Sequence, residues 1–387
     1  MSEYEGREQS RAKHEILRGY LGRFAHIIGT MKSTITYVDC FSGPWDVHNA
    51  DLSDSSFAIA IDELRKARDT FRQRHRRELK LRCFFLEERT SSHERLAEYA
   101  SHISDIEVET KNARLEHAVA DILKFVDAGG TSSFPFFLID PTGWTGFELD
   151  VIRPLLERKP GEVLVNFMTS FVRRFISWPD PANQASFDRT YGDYRPTREQ
   201  ILGLLEEDLD DVLVAAYSRM LREVGDFSYV CNSIVLDPEK DSTQFNLIYA
   251  TRDPKGLEVF KDVERRAQEH HQQTRAQIRG TRAEMKDGPG LFGPEAFGTR
   301  HYDKLRARYL AKARRRLTDL LNSRQMVSYD DAFTITLTDP LVWEKDLKEW
   351  IRAWRTQGVL GVIGLKPRAK VPQFGQGHSL RVRGAVL

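Results

Sequence analysis

Apolar positions along this chain switch repeatedly between two periods. Ile16, Leu17, Tyr20, Leu21, Phe24, Ile27 and Ile28 recur at helical spacing, which predicts a helix over Ala12–Ile28 that lays one face on something larger. Short continuous apolar runs then alternate with longer amphipathic stretches. The alternation predicts strands at Ile35–Val38, Leu81–Leu86, Ile106–Glu109, Phe134–Ile139 and Glu162–Phe167. Between them fall helices over about Ser55–Arg77, Ser91–Ser101, Leu115–Val126 and Phe147–Arg158. Strands separated by long helices need crossover connections, so the sheet is parallel and covered on both faces. The expected class is α/β, a doubly wound Rossmann-like domain.

Past Phe171 the pattern is helical through Leu221, with Ser177–Thr197 reading as a loop inside it. Two β-rich runs follow, Tyr229–Leu236 and Gln244–Thr251, joined by the turn-rich Asp237–Ser242. A connection that short makes them antiparallel. Parallel strands finished by an antiparallel hairpin are the arrangement of a class I methyltransferase sheet. Gly288–Gly298 is the richest Gly/Pro stretch and reads as a linker. The expected organisation is a domain over 1–285 with a helical insertion at about 171–222, a linker over 286–299, and a smaller module over 300–387. In that module Tyr302, Leu305, Tyr309, Ala313, Leu317 and Leu321 form one helical stripe. Asp339 and Pro340 are placed to open a second helix that turns Trp343, Leu347, Trp350, Ile351 and Trp354 inward. The following Gly358–Pro372 reads as a hairpin or wing, giving a winged-helix-like module.

Composition adds bounds. The 387 residues are 40% hydrophobic and 30% charged, ordinary for a soluble globular protein. The polar start carries no signal-type apolar segment, and no stretch has the length of a membrane span, so a cytoplasmic location is expected. Cys40, Cys83 and Cys231 are scattered, which suggests buried thiols and neither a disulfide framework nor a zinc site. Net charge is only +1, but its distribution is uneven. Nine Lys/Arg crowd Arg65–Arg82, eight crowd Arg300–Leu317, and five face no acid from Val359 to Leu387. Such clustering fits either a polyanion-binding face, nucleic acid first, or solvated helix surfaces.

In doubly wound sheets ligands sit beyond the carboxyl ends of the strands. Those ends read Asp39-Cys-Phe-Ser-Gly-Pro-Trp45, Glu87-Glu88-Arg89, Lys111-Asn112-Ala113, Asp140-Pro-Thr-Gly-Trp144 and Asn166-Phe-Met168. The set suits S-adenosylmethionine. Gly43 in the Phe41-Ser42-Gly43-Pro44 turn would allow a close backbone approach. Glu87 is placed for the ribose hydroxyls, Asn112 and Ala113 for the adenine edge, and Asp39 for the amino group or sulfonium. Asp140, the Pro141 carbonyl and Trp144 would orient and stack a target amine, as in amino-methyltransferase loops. Plainer roles stand beside these: Gly43 as a turn glycine, Glu87 as a solvated acid, Asp140 as a cap. Asp39, Glu87 and Asp140 could also hold magnesium.

These stretches resemble the three-Cys-motif partner protein family, a class I methyltransferase-like group. The likeness rests on "HEILRGYLGRF", "YVDCFSGPW", "FFLEE", "FFLIDPTGW" and "FNLIYATRDPKGLEVFKDV", and it covers most of residues 10 to 265. It implies an S-adenosylmethionine-type domain, a winged-helix appendage and a radical-SAM-like partner protein. Asp39, Phe41, Gly43 and Pro44 match the family's first loop, and Asp140, Pro141 and Gly143 its second. Trp45 and Thr142 depart from it, and both touch the expected pocket. The leading expectation is a methyltransferase acting on a nucleic-acid base or other amine; the rival is an inactive ligand-holding, nucleic-acid-binding partner.

Overall fold

The structure is a computed structural model that describes residues 8–43, 52, 54–143, 145–287, 300–365 and 371–383. Two compact units are formed, Met1–Val230 with Ile234–Val263, and Cys231–Ser233 with Glu264–Leu387.

The first unit opens with α1 (Glu8–Met31) and β1 (Thr34–Asp39), then α2 (Ser56–Thr70), which runs into a π-helical turn at Phe71–His75. It continues through β2 (Lys80–Glu87), α3 (Thr90–Ser101), β3 (Glu107–Asn112), α4 (Leu115–Ala128), β4 (Ser133–Ile139), α5 (Leu149–Glu157) and β5 (Glu162–Phe167). Four helices follow, α6 (Thr169–Phe175), α7 (Pro181–Tyr191), α8 (Arg198–Ile201) and α9 (Glu206–Val224), before β6 (Tyr229–Leu236), β7 (Thr243–Thr251) and α10 (Pro254–Asp287), of which Cys231–Ser233 of β6 and α10 from Glu264 onward are counted with the second unit. The seven strands lie in the order β3-β2-β1-β4-β5-β7-β6. β1 to β5 are parallel and β7 runs antiparallel to β5. That order and that single reversal are those of the class I methyltransferase sheet.

Alternation along the strands sends side chains to two covered faces. Val38, Phe84, Phe137 and Val165 join a core with residues of α4, α5 and α9. The intervening residues meet the other layer: Phe136 packs on Tyr20 and Phe24 of α1, and Phe85 on Phe57 of α2. β1 is buried along its whole length, as a strand between two neighbours and two helix layers must be. β3, at the sheet edge, alternates exposed and partly buried residues, and its charged side chains keep that edge from pairing with another chain.

Two expectations for this unit need correction. Asn112 is the last residue of β3 and does not follow it. The expected loop Ser177–Thr197 contains α7, opened by Asp180, whose side chain accepts from Asn183 N, with Pro181 in the first turn. The stretch is too polar to show a stripe, but Asp-Pro is a helix-start signal.

The second unit contains α11 (Arg300–Arg324), β8 (Met326–Ser328), α12 (Tyr329–Leu337), α13 (Glu344–Thr356), β9 (Leu360–Ile363) and β10 (Ser379–Val382). The three strands form an antiparallel sheet in the order β8-β10-β9. Leu305, Tyr309, Ala313, Leu317 and Leu321 are buried, as their spacing requires. Here too the local reading shifts. The second expected helix starts at Glu344 and not at Pro340; Trp343 precedes it, and Asp339 pairs with Arg316. α12 was not expected; Ser328 caps it by accepting from Asp331 N. The strand partner of Leu360–Ile363 is Ser379–Val382, beyond the segment read as a hairpin. Of the expected linker, residues 288–299 lie outside the described residues, while α10 extends to Asp287. No described helix is long and apolar enough to cross a membrane.

Candidate functional site

A pocket of about 320 Å³ opens beyond the carboxyl ends of the first four strands. Cys40 and Phe41 line it after β1, Glu87 and Glu88 at β2, Ala113 to Glu116 after β3, and Pro141 to Gly143 with Thr145, Gly146 and Glu148 after β4. Of the residues expected to hold a cofactor or an amine, it gathers Phe41, Glu87, Ala113 and Pro141. Glu87, Glu88, Glu116 and Glu148 line it together with one basic residue, Arg114, whose Nε lies 3.5 Å from Glu88 Oε2. The lining is therefore strongly acidic. Gly146 adopts φ +88°, which glycine takes without strain, and a Cβ there would touch the Phe41 ring.

Glu87 is nearly inaccessible at 2% exposure and accepts from Arg89 N at 2.7 Å through Oε1, which aims its carboxyl group. Burial pushes this carboxyl above its ordinary range, against the pull of the Arg89 amide. Asn112 stands beside the pocket as a brace: Nδ2 donates to the carbonyls of Glu87 and Glu88, and Oδ1 accepts from Thr90. Ala113 N donates to the Glu87 carbonyl.

Asp39 and Ser42 shape the first loop from inside. Asp39 accepts from Phe41 N at 3.1 Å and Ser56 Oγ at 2.7 Å, and Ser42 Oγ donates to the Asp39 carbonyl. Burial lifts the Asp39 carboxyl to about 6, helped by nearby Asp140 and opposed by Ser56, Phe41 N and Lys13. Gly43 is partly buried, while Pro44, Trp45 and Trp144 lie outside the described residues.

Asp140 does not line the pocket. Its Oδ2 is 2.5 Å from Lys13 Nζ of α1, and its Oδ1 accepts from Asn166 Nδ2 at 2.7 Å. It does not cap α5, which Glu148 precedes. Neither Lys13 nor Asn166 was assigned a role from sequence. Asn166 was visible as a polar strand end, whereas Lys13 offered no signal, being one lysine in a charged helix start.

No family profile matches the chain, and no curated protein does. Solved structures with a slight likeness to the chain include the following two. A Legionella pneumophila protein of the DUF519 family shares 11% identity over 71% of this chain and 92% of its own, with a TM-score of 0.35. A loganic acid methyltransferase solved with SAH shares 10% over 76% of this chain and 86% of its own, with a TM-score of 0.31. At these values neither likeness bears on the site.

Among the described residues no group of three or more His, Cys, Asp or Glu converges on a metal position. The magnesium alternative therefore has no described cluster to rest on. The basic run Arg65–Arg82 is largely neutralised. Arg65 and Arg68 pair with Asp105, Arg72 with Glu78, Lys66 with Asp62 and Glu63, and Lys80 and Arg82 with Glu107. In the second unit Arg306 pairs with Asp346, whereas Arg314 and Arg315 of α11 and Lys345 and Arg352 of α13 are exposed.

Proposed function

We propose that this chain is an S-adenosylmethionine-dependent methyltransferase-like protein that acts on an amino group of a nucleic-acid base or another amine. The observation that carries the reading is the acidic pocket at the ends of β1 to β4, with a carboxylate at β2 and one arginine among its charged lining residues. Phosphate-bearing nucleotides meet repulsion there, while an adenosyl sulfonium ligand meets attraction. Glu87 would take the ribose hydroxyls, and Ala113 with the Pro141–Gly146 loop would flank the adenine. When bound, the cofactor would supply an electrophilic methyl group. The residues of the chain supply position, and the amine is to be oriented at Asp140 and Pro141, with Trp144 stacking.

The second unit would hold the polyanion. Its order of helix, strand, two helices and two strands, in a three-stranded sheet with the first strand beside the last, supports a winged-helix reading. α13, with exposed Lys345 and Arg352, would be the reading helix. The radical-SAM-like partner implied by the family resemblance belongs to the same proposal. One observation favours the non-catalytic reading, a protein that only holds ligand and nucleic acid: both Asp140 oxygens are already occupied.

Calorimetric titration tests the cofactor. S-adenosylmethionine and S-adenosylhomocysteine are expected to bind, and Glu87→Ala to weaken binding about tenfold or more, the worth of a hydrogen bond to a charged group. Absence of heat and of thermal stabilisation at millimolar ligand would sink the cofactor reading, and unchanged affinity in the variant would relocate the ribose. Nucleic-acid affinity is expected to fall steeply with salt through the second unit. A flat response between low and moderate ionic strength would argue against a phosphate-gripping face.

A further inference from the structure

At the end of β5 the Asn166 amide has only one sensible orientation. Its neighbour Asp140 is ion-paired and, as a carboxylate, only accepts, so the amide nitrogen must face it, as the Nδ2 to Oδ1 distance of 2.7 Å shows. Asn166 Oδ1 is then left buried with no hydrogen-bond partner, in a residue 4% exposed. A buried acceptor without a donor is costly, and native chains keep such groups where a ligand or water completes them. On the acid that Asn166 holds, the other oxygen, Asp140 Oδ2, is filled by an alkylammonium, Lys13 Nζ at 2.5 Å. This lysine is 18% exposed, so it meets both solvent and the acid.

We propose that Asp140 and Asn166 form a two-acceptor seat for a primary amino group, and that Lys13 occupies its Asp140 half until a substrate arrives. The incoming amine displaces the lysine, donating one N–H to Asp140 Oδ2 and another to Asn166 Oδ1. Two acceptors select a group with two N–H donors over a hydroxyl, which has one, and over a carbonyl, which has none. Asn166 is thus the specificity residue and Lys13 the gate. The identity of the amine as a methyl acceptor rests on the methyltransferase reading, whereas the seat itself can be measured without it.

The test uses the full chain carrying Lys13→Ala, with n-butylammonium as probe and tetramethylammonium, a cation without N–H, as control at constant ionic strength. Saturable thermal stabilisation by n-butylammonium alone is expected. Its apparent affinity should be about tenfold or more above that for wild type, where Lys13 competes, and should fall about tenfold when Asn166→Leu is added. Equal responses to the two cations, or an affinity indifferent to Asn166→Leu, overturn the proposal. If Lys13→Ala fails to fold, Lys13→Ser carries the same comparison. S-adenosylmethionine titrated into the same variants separates the two ideas. Amine selectivity without cofactor binding keeps the seat and removes the methyltransferase reading. Cofactor binding without amine selectivity removes the seat and keeps that reading.

Discussion

Asp39→Asn is expected to unfold at a higher temperature than wild type at pH 8 and to lose that advantage by about pH 4. The Asp39 carboxyl is fully buried, and burial is the largest cause of its rise from 3.8 to about 6. Asp140 raises it further, while Ser56 Oγ, Phe41 N and Lys13 hold it down. Tyr37 Oη also faces it, at 3.5 Å. Because the folded-state value lies above the unfolded one, the stabilising contribution of this group is complete below about pH 4. It is lost as pH rises through 6. The rise amounts to about 3 kcal/mol at ~1.36 kcal/mol per pH unit. An asparagine keeps the geometry, since its oxygen accepts from Phe41 N and its nitrogen donates to Ser56 Oγ, and it does not titrate. Urea unfolding at pH 4, 6 and 8 checks this, with the difference between the proteins opening as pH rises. A variant that is less stable than wild type by the same amount at all three values would show that the carboxylate is better satisfied than its surroundings indicate. If the gain appears, the wild-type acid is retained at a cost in stability at the end of β1, next to Asp140 and Lys13. Acids kept on such terms are usually kept for function.

The sheet was legible because its information is local. Tyr37, Phe85 and Phe136 repeat with their neighbours in short apolar runs that only strands covered on both faces produce, and the helices between them force parallel pairing. Even the single antiparallel reversal followed from the brevity of Asp237–Ser242. What the sequence concealed depends on contacts between distant segments. Asn112 sits at the right strand end for an adenine contact, yet its side chain is spent on the carbonyls of Glu87 and Glu88. Asp140 follows a strand as a ligand residue would, but nothing in its own stretch tells that Lys13, far back in α1, reaches it. The charge run at Arg65–Arg82 reads as a polyanion face only while Asp105 and Glu107 are not known to stand opposite. In the second unit, Pro340 has the form of a helix start, but Leu341 takes φ 58° and the chain turns again before Glu344. A left-handed leucine carries no mark in sequence.

The acid that opens β5 has no part in the candidate site and should matter strongly to folding. Glu162→Ala is expected to cost about 3–5 kcal/mol, since two buried donors would each lose an acceptor at ~1–3 kcal/mol and a cavity would be added. Tyr20 Oη donates to Glu162 Oε2 at 2.5 Å and Thr251 Oγ1 donates to Oε1 at 2.8 Å, while the Tyr20 and Tyr249 hydroxyls touch each other. These contacts tie α1 to β5 and β7 inside the layer where Tyr249 stacks on Phe260. Burial pushes the Glu162 carboxyl up, against the hydrogen bonds from Tyr20 and Thr251. Glu162→Gln should therefore be close to wild type, its oxygen accepting from Tyr20 and its nitrogen donating to Thr251. Its standing relative to wild type should improve as pH rises, because glutamine never meets the cost of ionising in that position. Gly256 gives an independent check. A Cβ there would collide with the Tyr249 hydroxyl and lie 2.9 Å from Thr251 Oγ1 and 3.0 Å from Glu162 Oε1, so Gly256→Ala should destabilise through the same network. Chemical denaturation of the three variants decides the matter: equal losses for Ala and Gln at position 162 would mean that the side chain contributes volume alone, and that the hydroxyls find acceptors elsewhere.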